Sequence, residues 1–211
     1  MEKTMKKTIT YQLVDTAGEI SAIVLSSVTD DAMPKVAKLI MRKNKAIEQV
    51  GFLSKDTFRM MGGELSVNGM LAAEFLRTGA RTIRIPRSLL LSVTNNIVTY
   101  NGMTYVLFPN PPSTKTVNSD QKKILQKLCK TNPASGIIYY KNASITPLIY
   151  VRATNTYVWE QSCGSGSVAY ALFSGRKIIQ QPSGSVVRIS ISPRTITYQA
   201  TVRVIGSKEV V

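Results

Sequence analysis

Cys163 opens the tetrapeptide Cys-Gly-Ser-Gly inside the stretch WEQSCGSGSVAYALF, Trp159 to Phe173. The residues that follow carry Val168, Leu172 and Phe173 at helical spacing, so the cysteine stands where a helix begins. A structural cysteine would pack inside that run. At a helix start a thiol meets the positive end of the dipole, which favours thiolate and suits a base or nucleophile near neutral pH. The small side chains of Gly164, Ser165 and Gly166 let an anion approach the unpaired N–H groups of the first turn. A thiolate beside a carboxylate cradle is suited to removing a proton from the carbon next to a carboxylate.

Composition narrows the remaining chemistry. The 211 residues include no histidine, which excludes Ser-His-Asp triads, Cys-His dyads and histidine-ligated metals. Acid–base work must fall to Cys, carboxylates, Lys, Tyr or backbone groups, and no metal site is expected. The two cysteines are read as free thiols, because a chain of this length needs no disulfide. Cys129, in ILQKLCKTN, lies along an amphipathic helix and reads as a core residue. The net charge is +15, yet the basic residues are scattered. Their densest clusters, Lys35 to Lys45 and Lys122 to Lys130, fall on solvated faces of amphipathic helices. No zinc-finger or aromatic-rich RNA-binding signature appears, so nucleic acid is not the expected partner. No apolar run reaches membrane-span length. The N-terminal MEKTMKKTITYQLVD lacks the apolar core of a signal peptide, and a cytoplasmic protein without a membrane partner is expected.

The pattern along the chain predicts the elements that must hold Cys163. Two strands turn near Ala17-Gly18, and a helix follows Asp30, Asp31 and Pro34. QVGFL is strand-like, and Gly62-Gly63 leads into a helix over 68–77 that stops at Gly79. RTIRIP and a hairpin turning at Asn101-Gly102 follow. Three prolines in Pro109 to Pro112 begin the best boundary. They divide an N-terminal half, 1–110, from a C-terminal half, 119–211, across a linker, 111–118. The second half starts with a helix over 119–130 and passes through GIIYY, TPLIYVRAT and TYVWE to the Cys163 helix. It closes in two strands, SVVRISIS and TITYQATVRV. Both halves run strands, helix, strands, Glu, glycine turn, apolar helix, Gly, strands. Setting Ser66-Val67-Asn68-Gly69 over Cys163-Gly164-Ser165-Gly166 also aligns Leu71 with Val168 and Ala72 with Ala169. An internal duplication is the favoured reading, with the site at the seam where the two helix starts face each other. Trp159 and Tyr170 read as packing residues, and Glu64 as a support for its turn.

RMMGGELSVNGMLAAEF and EQSCGSGSVAYAL resemble the first and second catalytic motifs of the diaminopimelate epimerase-like superfamily. DTAGEISAIVL is similar to its N-terminal strand–turn segment. The resemblance extends over the layout of nearly the whole chain. It implies an α+β fold of two pseudo-symmetric α/β domains, each a curved sheet around a central helix, with the site between them. It further implies racemisation or epimerisation of a small amino-acid substrate without pyridoxal phosphate, metal or other cofactor. In such enzymes one cysteine takes the α-proton and an opposite cysteine returns one on the other face.

The resemblance assigns Cys163 as one acid/base, with Gly164, Ser165 and Gly166 as the carboxylate cradle. Asn68 and Gly69 match substrate-binding positions of the first motif, and Val67 replaces a glycine. Glu160 stands three residues before Cys163, one position off the family spacing. Glu19 replaces an asparagine and would favour a cationic or hydrogen-donating substrate side chain. The main departure is Ser66, which stands where the first catalytic cysteine belongs. A hydroxyl is a far weaker acid or base than a thiol. Three expectations follow: a racemase with a Cys/Ser pair, a one-base lyase or dehydratase, or a degenerate ligand-binding protein. A homodimer is a further possible partner state.

Overall fold

The computed structural model describes residues 8–55 and 57–210. The basic segment 1–7, read above as unlike a signal peptide, lies outside them. Strands β1 (Ile9–Thr16) and β2 (Glu19–Val24) form the expected hairpin. Its turn puts Ala17 and Gly18 at φ 53° and 94°, a conformation that glycine tolerates at little cost.

Helix α1 (Met33–Lys43) has Pro34 in its first turn, buries Ala37 and Ile40, and exposes Lys35, Lys38, Arg42 and Lys43. It carries the chain to β3 (Gln49–Leu53), which pairs parallel to β2, and β4 (Phe58–Met60) returns antiparallel. Helix α2 (Val67–Thr78) follows and ends at Gly79, left-handed at φ 76°.

Next come β5 (Thr82–Pro86), β6 (Leu90–Thr94), β7 (Ile97–Tyr100) and β8 (Met103–Pro109). Helix α3 (Ser119–Leu128) starts at a capping box of Asn118 and Gln121. It leads to β9 (Ala134–Lys141), which is parallel to β8, and β10 (Ser144–Val151) and β11 (Thr156–Trp159) turn back antiparallel. Helix α4 (Gly164–Ser174) ends at Gly175, left-handed at φ 74°. The chain closes with β12 (Ile178–Gln180), β13 (Val186–Ile191), β14 (Thr195–Gln199) and β15 (Val202–Val210).

The internal repeat is visible in this order. A hairpin, a crossover helix, a parallel strand and a return strand precede each of α2 and α4. A five-stranded sheet, β15-β1-β2-β3-β4, packs on α2. A ten-stranded sheet, β5-β14-β13-β12-β10-β9-β8-β7-β6 with β11 on β10, packs on α4. Helices that are apolar nearly all round, such as α4 with Val168, Ala169, Tyr170 and Ala171 buried, must be enclosed in this way.

One expected strand divides. TITYQATVRV breaks at Ala200-Thr201, where the Thr201 carbonyl accepts the Ala17 N–H at 2.9 Å. Its first part, β14, stays in the ten-stranded sheet, and its second, β15, crosses to pair with β1. Strands on either side of 111–118 also pair, β8 with β9 and β5 with β14.

Cys129 lies in a small core with Leu125, Ile137 and Leu148 under α3, in keeping with its reading as a packing residue. Tyr170 stacks on Tyr140 and Trp159 on Tyr139.

Candidate active site

The starts of α2 and α4 meet. Ser66 caps α2: its Oγ accepts the Gly69 N–H at 3.0 Å. Cys163 caps α4 in the same way, its Sγ accepting the Gly166 N–H at 3.3 Å. Between the two helices the Val67 N–H donates to Ser165 Oγ at 2.9 Å, and that hydroxyl donates to the Leu65 carbonyl at 3.0 Å.

Gly164 makes the approach possible. A Cβ there would fall 2.6 Å from Asn68 Oδ1 and 2.9 Å from both the Asn68 backbone N and Val67 Cβ. Backbone cannot yield as a side-chain tip can, so Gly164→Ala is expected to force the helix starts apart at a cost of about 1–3 kcal/mol. Thermal unfolding should show this as a Tm lower by several degrees, roughly 2–4 °C per kcal/mol. An unchanged Tm would refute the contact.

A cavity opens at this junction, lined by Ser66, Cys163, Gly164, Ser165, Tyr105 and four glutamates, Glu19, Glu48, Glu64 and Glu160. Its free volume is about 20 Å³, on the order of one water molecule, so an amino acid enters only when the walls part. Glu48 and Val158 also line an outer groove of about 700 Å³.

Burial acts on every acid here. It pushes the Glu64 and Glu48 carboxyls up to about 7 and that of Glu160 to about 8. Glu19 is raised well above the usual carboxylate range, first by burial and then by Glu160 and Glu48. Among the described residues, no Lys or Arg forms an ion pair with any of the four.

The expected thiolate at Cys163 is not the resting form. Burial, followed by the neighbouring Glu160 carboxyl, raises the thiol well above its ordinary range, and the Gly166 N–H opposes this only in part. As a cap Cys163 accepts one hydrogen bond, whereas full desolvation beside an acid disfavours the anion more strongly. Cys163 is therefore a thiol that can give a proton.

The assigned site residues fall into two groups. Cys163, Ser66, Gly164, Ser165, Glu160 and Glu19 line the cavity, whereas Asn68, Gly69 and Gly166 do not. The N–H groups of Gly69 and Gly166 are taken by the two caps. Asn68 is saturated by protein. Its Nδ2 donates to Glu19 Oε2 at 2.8 Å and to Ser162, and its Oδ1 accepts the Tyr198 hydroxyl at 2.7 Å. Asn68 thus ties α2 to β2, β14 and the approach to α4. Glu19 Oε1 accepts from Ser21 and Gln49, so both its oxygens meet protein donors.

Four participants were not singled out from the sequence, the first being the cavity-lining Glu48. Gln49 Oε1 accepts the Ser66 hydroxyl at 2.8 Å. Gln181 Oε1 accepts the Cys163 N–H at 2.9 Å. The Tyr105 hydroxyl lies 3.8 Å from Cys163 Sγ. Tyr105 pairs with Gly136 across β8 and β9, where any Cβ would fall 2.4 Å from the ring, so that glycine makes room for it. A strand pattern gives no signal for a glutamine or tyrosine of this kind.

Two enclosed helices with facing, equivalently capped starts over a buried acid-lined cavity define the α+β fold of the amino-acid racemases and epimerases. Solved structures share the fold: a predicted epimerase from Pseudomonas aeruginosa superposes with a TM-score of 0.61 at 13% identity, covering 96% of this chain and 99% of that one. A probable proline racemase from Agrobacterium radiobacter K84 gives 0.60 at 11%, covering 96% and 93%.

Residues 91–207 match the family model described as the histidine racemase CntK N-terminal domain, and the chain belongs to that family of isomerases. The matched span contains Cys163 but not Ser66. A histidine racemase of Fusobacterium nucleatum subsp. nucleatum is 24% identical, over 81% of this chain and 84% of its own length.

Proposed function

We propose that the protein is a cofactor-independent racemase of a free amino acid with a basic side chain, histidine first among the candidates. In this reading Cys163 handles the α-proton on one face, and Ser66 holds the equivalent place on the other. The observation that carries it is the pair of helix starts, one capped by a thiol and one by a hydroxyl, opening on a single cavity. Gly164 and Ser165 line that cavity as the first residues of α4, where N–H groups precede the helical ladder. They can hold the α-carboxylate and stabilise the enediolate that forms when the α-proton leaves. The basic side chain is supported by the four cavity glutamates, none of which forms an ion pair with Lys or Arg among the described residues, and by the histidine racemases among the relatives.

A second reading, a one-base lyase, draws on Ser66 itself, whose proton is committed to Gln49. Incubation in heavy water with L- and D-amino acids separates the two. Deuterium at Cα with inversion, strongest for histidine or another basic amino acid, is expected. Loss of a β-substituent in its place would favour the lyase. No exchange with any substrate would overturn both.

A further inference from the structure

We propose that the carboxyl of Glu64, and not the hydroxyl of Ser66, exchanges the substrate proton on the α2 side of the cavity, opposite Cys163. This rests on the racemase reading above and asks which group completes it.

Ser66 is poorly placed to move a proton. Its oxygen accepts the Gly69 N–H and its hydrogen goes to Gln49 Oε1. Gln49 is in turn fixed by donating to Glu19 and to Ser21 Oγ. Giving up its proton would leave an alkoxide, and the described residues hold no histidine to assist. The hydroxyl serves α2 as a cap.

Glu64 stands two residues earlier, in the turn that delivers the chain into α2. It is 9% exposed and lines the same cavity as Cys163 and Ser66. One oxygen, Oε2, is anchored by the Gly62 N–H at 2.8 Å, which orients the group. Glycine at position 62 leaves room for this, because a Cβ would lie 2.9 Å from that oxygen and 2.7 Å from Val151 Cγ1 and would push one of the two side chains aside. The repeat supports the placement: Glu160 lies three residues before Cys163 as Glu64 lies two before Ser66, so each helix start has a cavity-lining carboxyl. Burial leaves Glu64 able to exist in both forms near neutral pH, which is the condition for efficient general acid–base catalysis.

The step balances. The Glu64 carboxylate takes the α-proton, the Cα–H electron pair passes into the substrate carboxylate as an enediolate, and the Cys163 S–H bond gives its proton to the opposite face of Cα. The products are the inverted amino acid, a protonated Glu64 and a Cys163 thiolate. Solvent proton exchange restores the starting state, and the other enantiomer runs the same steps in reverse from the form with Glu64 protonated and Cys163 a thiolate, which the same exchange supplies.

Glu64→Gln keeps an oxygen for the Gly62 N–H and removes the proton. In heavy water it should lower inversion of the best substrate at least about 100-fold. Deuterium wash-in without inversion, for the enantiomer whose α-hydrogen faces Cys163, should persist within tenfold of wild type. Ser66→Ala should cost inversion less than Glu64→Gln does. Inversion within threefold of wild type in Glu64→Gln would overturn the assignment. So would equal losses of wash-in and inversion in a folded variant, or a larger loss in Ser66→Ala. Should Glu64→Gln fail to fold, Glu64→Asp takes its place; it keeps a displaced carboxyl and should slow inversion more than wash-in, and equal slowing would again overturn the assignment. A wild-type protein that exchanges no α-proton fails earlier, on the racemase reading itself.

Discussion

Cys163→Ser should abolish both inversion and the wash-in of deuterium on its face, by a factor of about 10²–10⁴, with the fold intact. The fold survives because serine is among the preferred helix caps and its hydroxyl can accept the Gly166 N–H that Sγ accepts now. The backbone around it is held independently, by the bond from the Cys163 N–H to Gln181 and by Ser167, whose N–H and hydroxyl both reach the Cys163 carbonyl. Only the proton chemistry changes. A buried thiol beside Glu160 can give up a proton when a substrate enters, whereas an alcohol in the same place is a far weaker acid. Circular dichroism would check the fold, while proton NMR in heavy water and chiral separation would read the two activities. Wash-in within tenfold of wild type would place the proton donor somewhere other than Cys163.

The same residue shows how far the sequence could be read. The Cys-Gly-Ser-Gly turn, its equivalence to Ser66-Val67-Asn68-Gly69 and the glycine stops of both helices are local patterns, and they located the two caps and the seam. What the glycines are for was legible only in part. Gly164 reads as room for an anion, but it is also the point where one helix start touches the backbone of the other, and a contact 96 positions away leaves no local trace. Asn68 has the right type at the right spacing, yet its bonds run to Glu19, Ser162 and Tyr198. The state of Cys163 depends on burial and on Glu160, which oppose the dipole that the helix start announces. The path of the last strand was hidden as well, because β14 and β15 share one alternating pattern and differ only in the sheet that receives them.

The acid cavity should make the ligand-free protein lose stability as the pH rises from about 5 to about 8. Glu64 and Glu48 titrate near 7 and Glu160 near 8 in the folded protein, against 4.5 as their ordinary value. Between those limits the folded state holds protons that the unfolded chain has released, so the slope of unfolding free energy with pH is negative. The contribution is fully present below about 4.5 and is gone above the folded values. The three groups and Glu19 act on one another, so their effects do not simply add. A total loss on the order of a few kcal/mol follows from shifts of this size, equivalent to about 10 °C in Tm for a chain of this length. Scanning calorimetry from pH 5 to pH 8.5 would show it, and a level or rising Tm would contradict the burial of these carboxyls without an ion-pair partner. Glu64→Gln should flatten the curve, because the amide has no proton to lose. A bound amino acid with a cationic side chain should flatten it too, since a positive charge among the glutamates favours their ionised forms. A neutral amino acid of similar size should leave the slope in place, so the same measurement separates a site selective for basic side chains from one that is merely acidic.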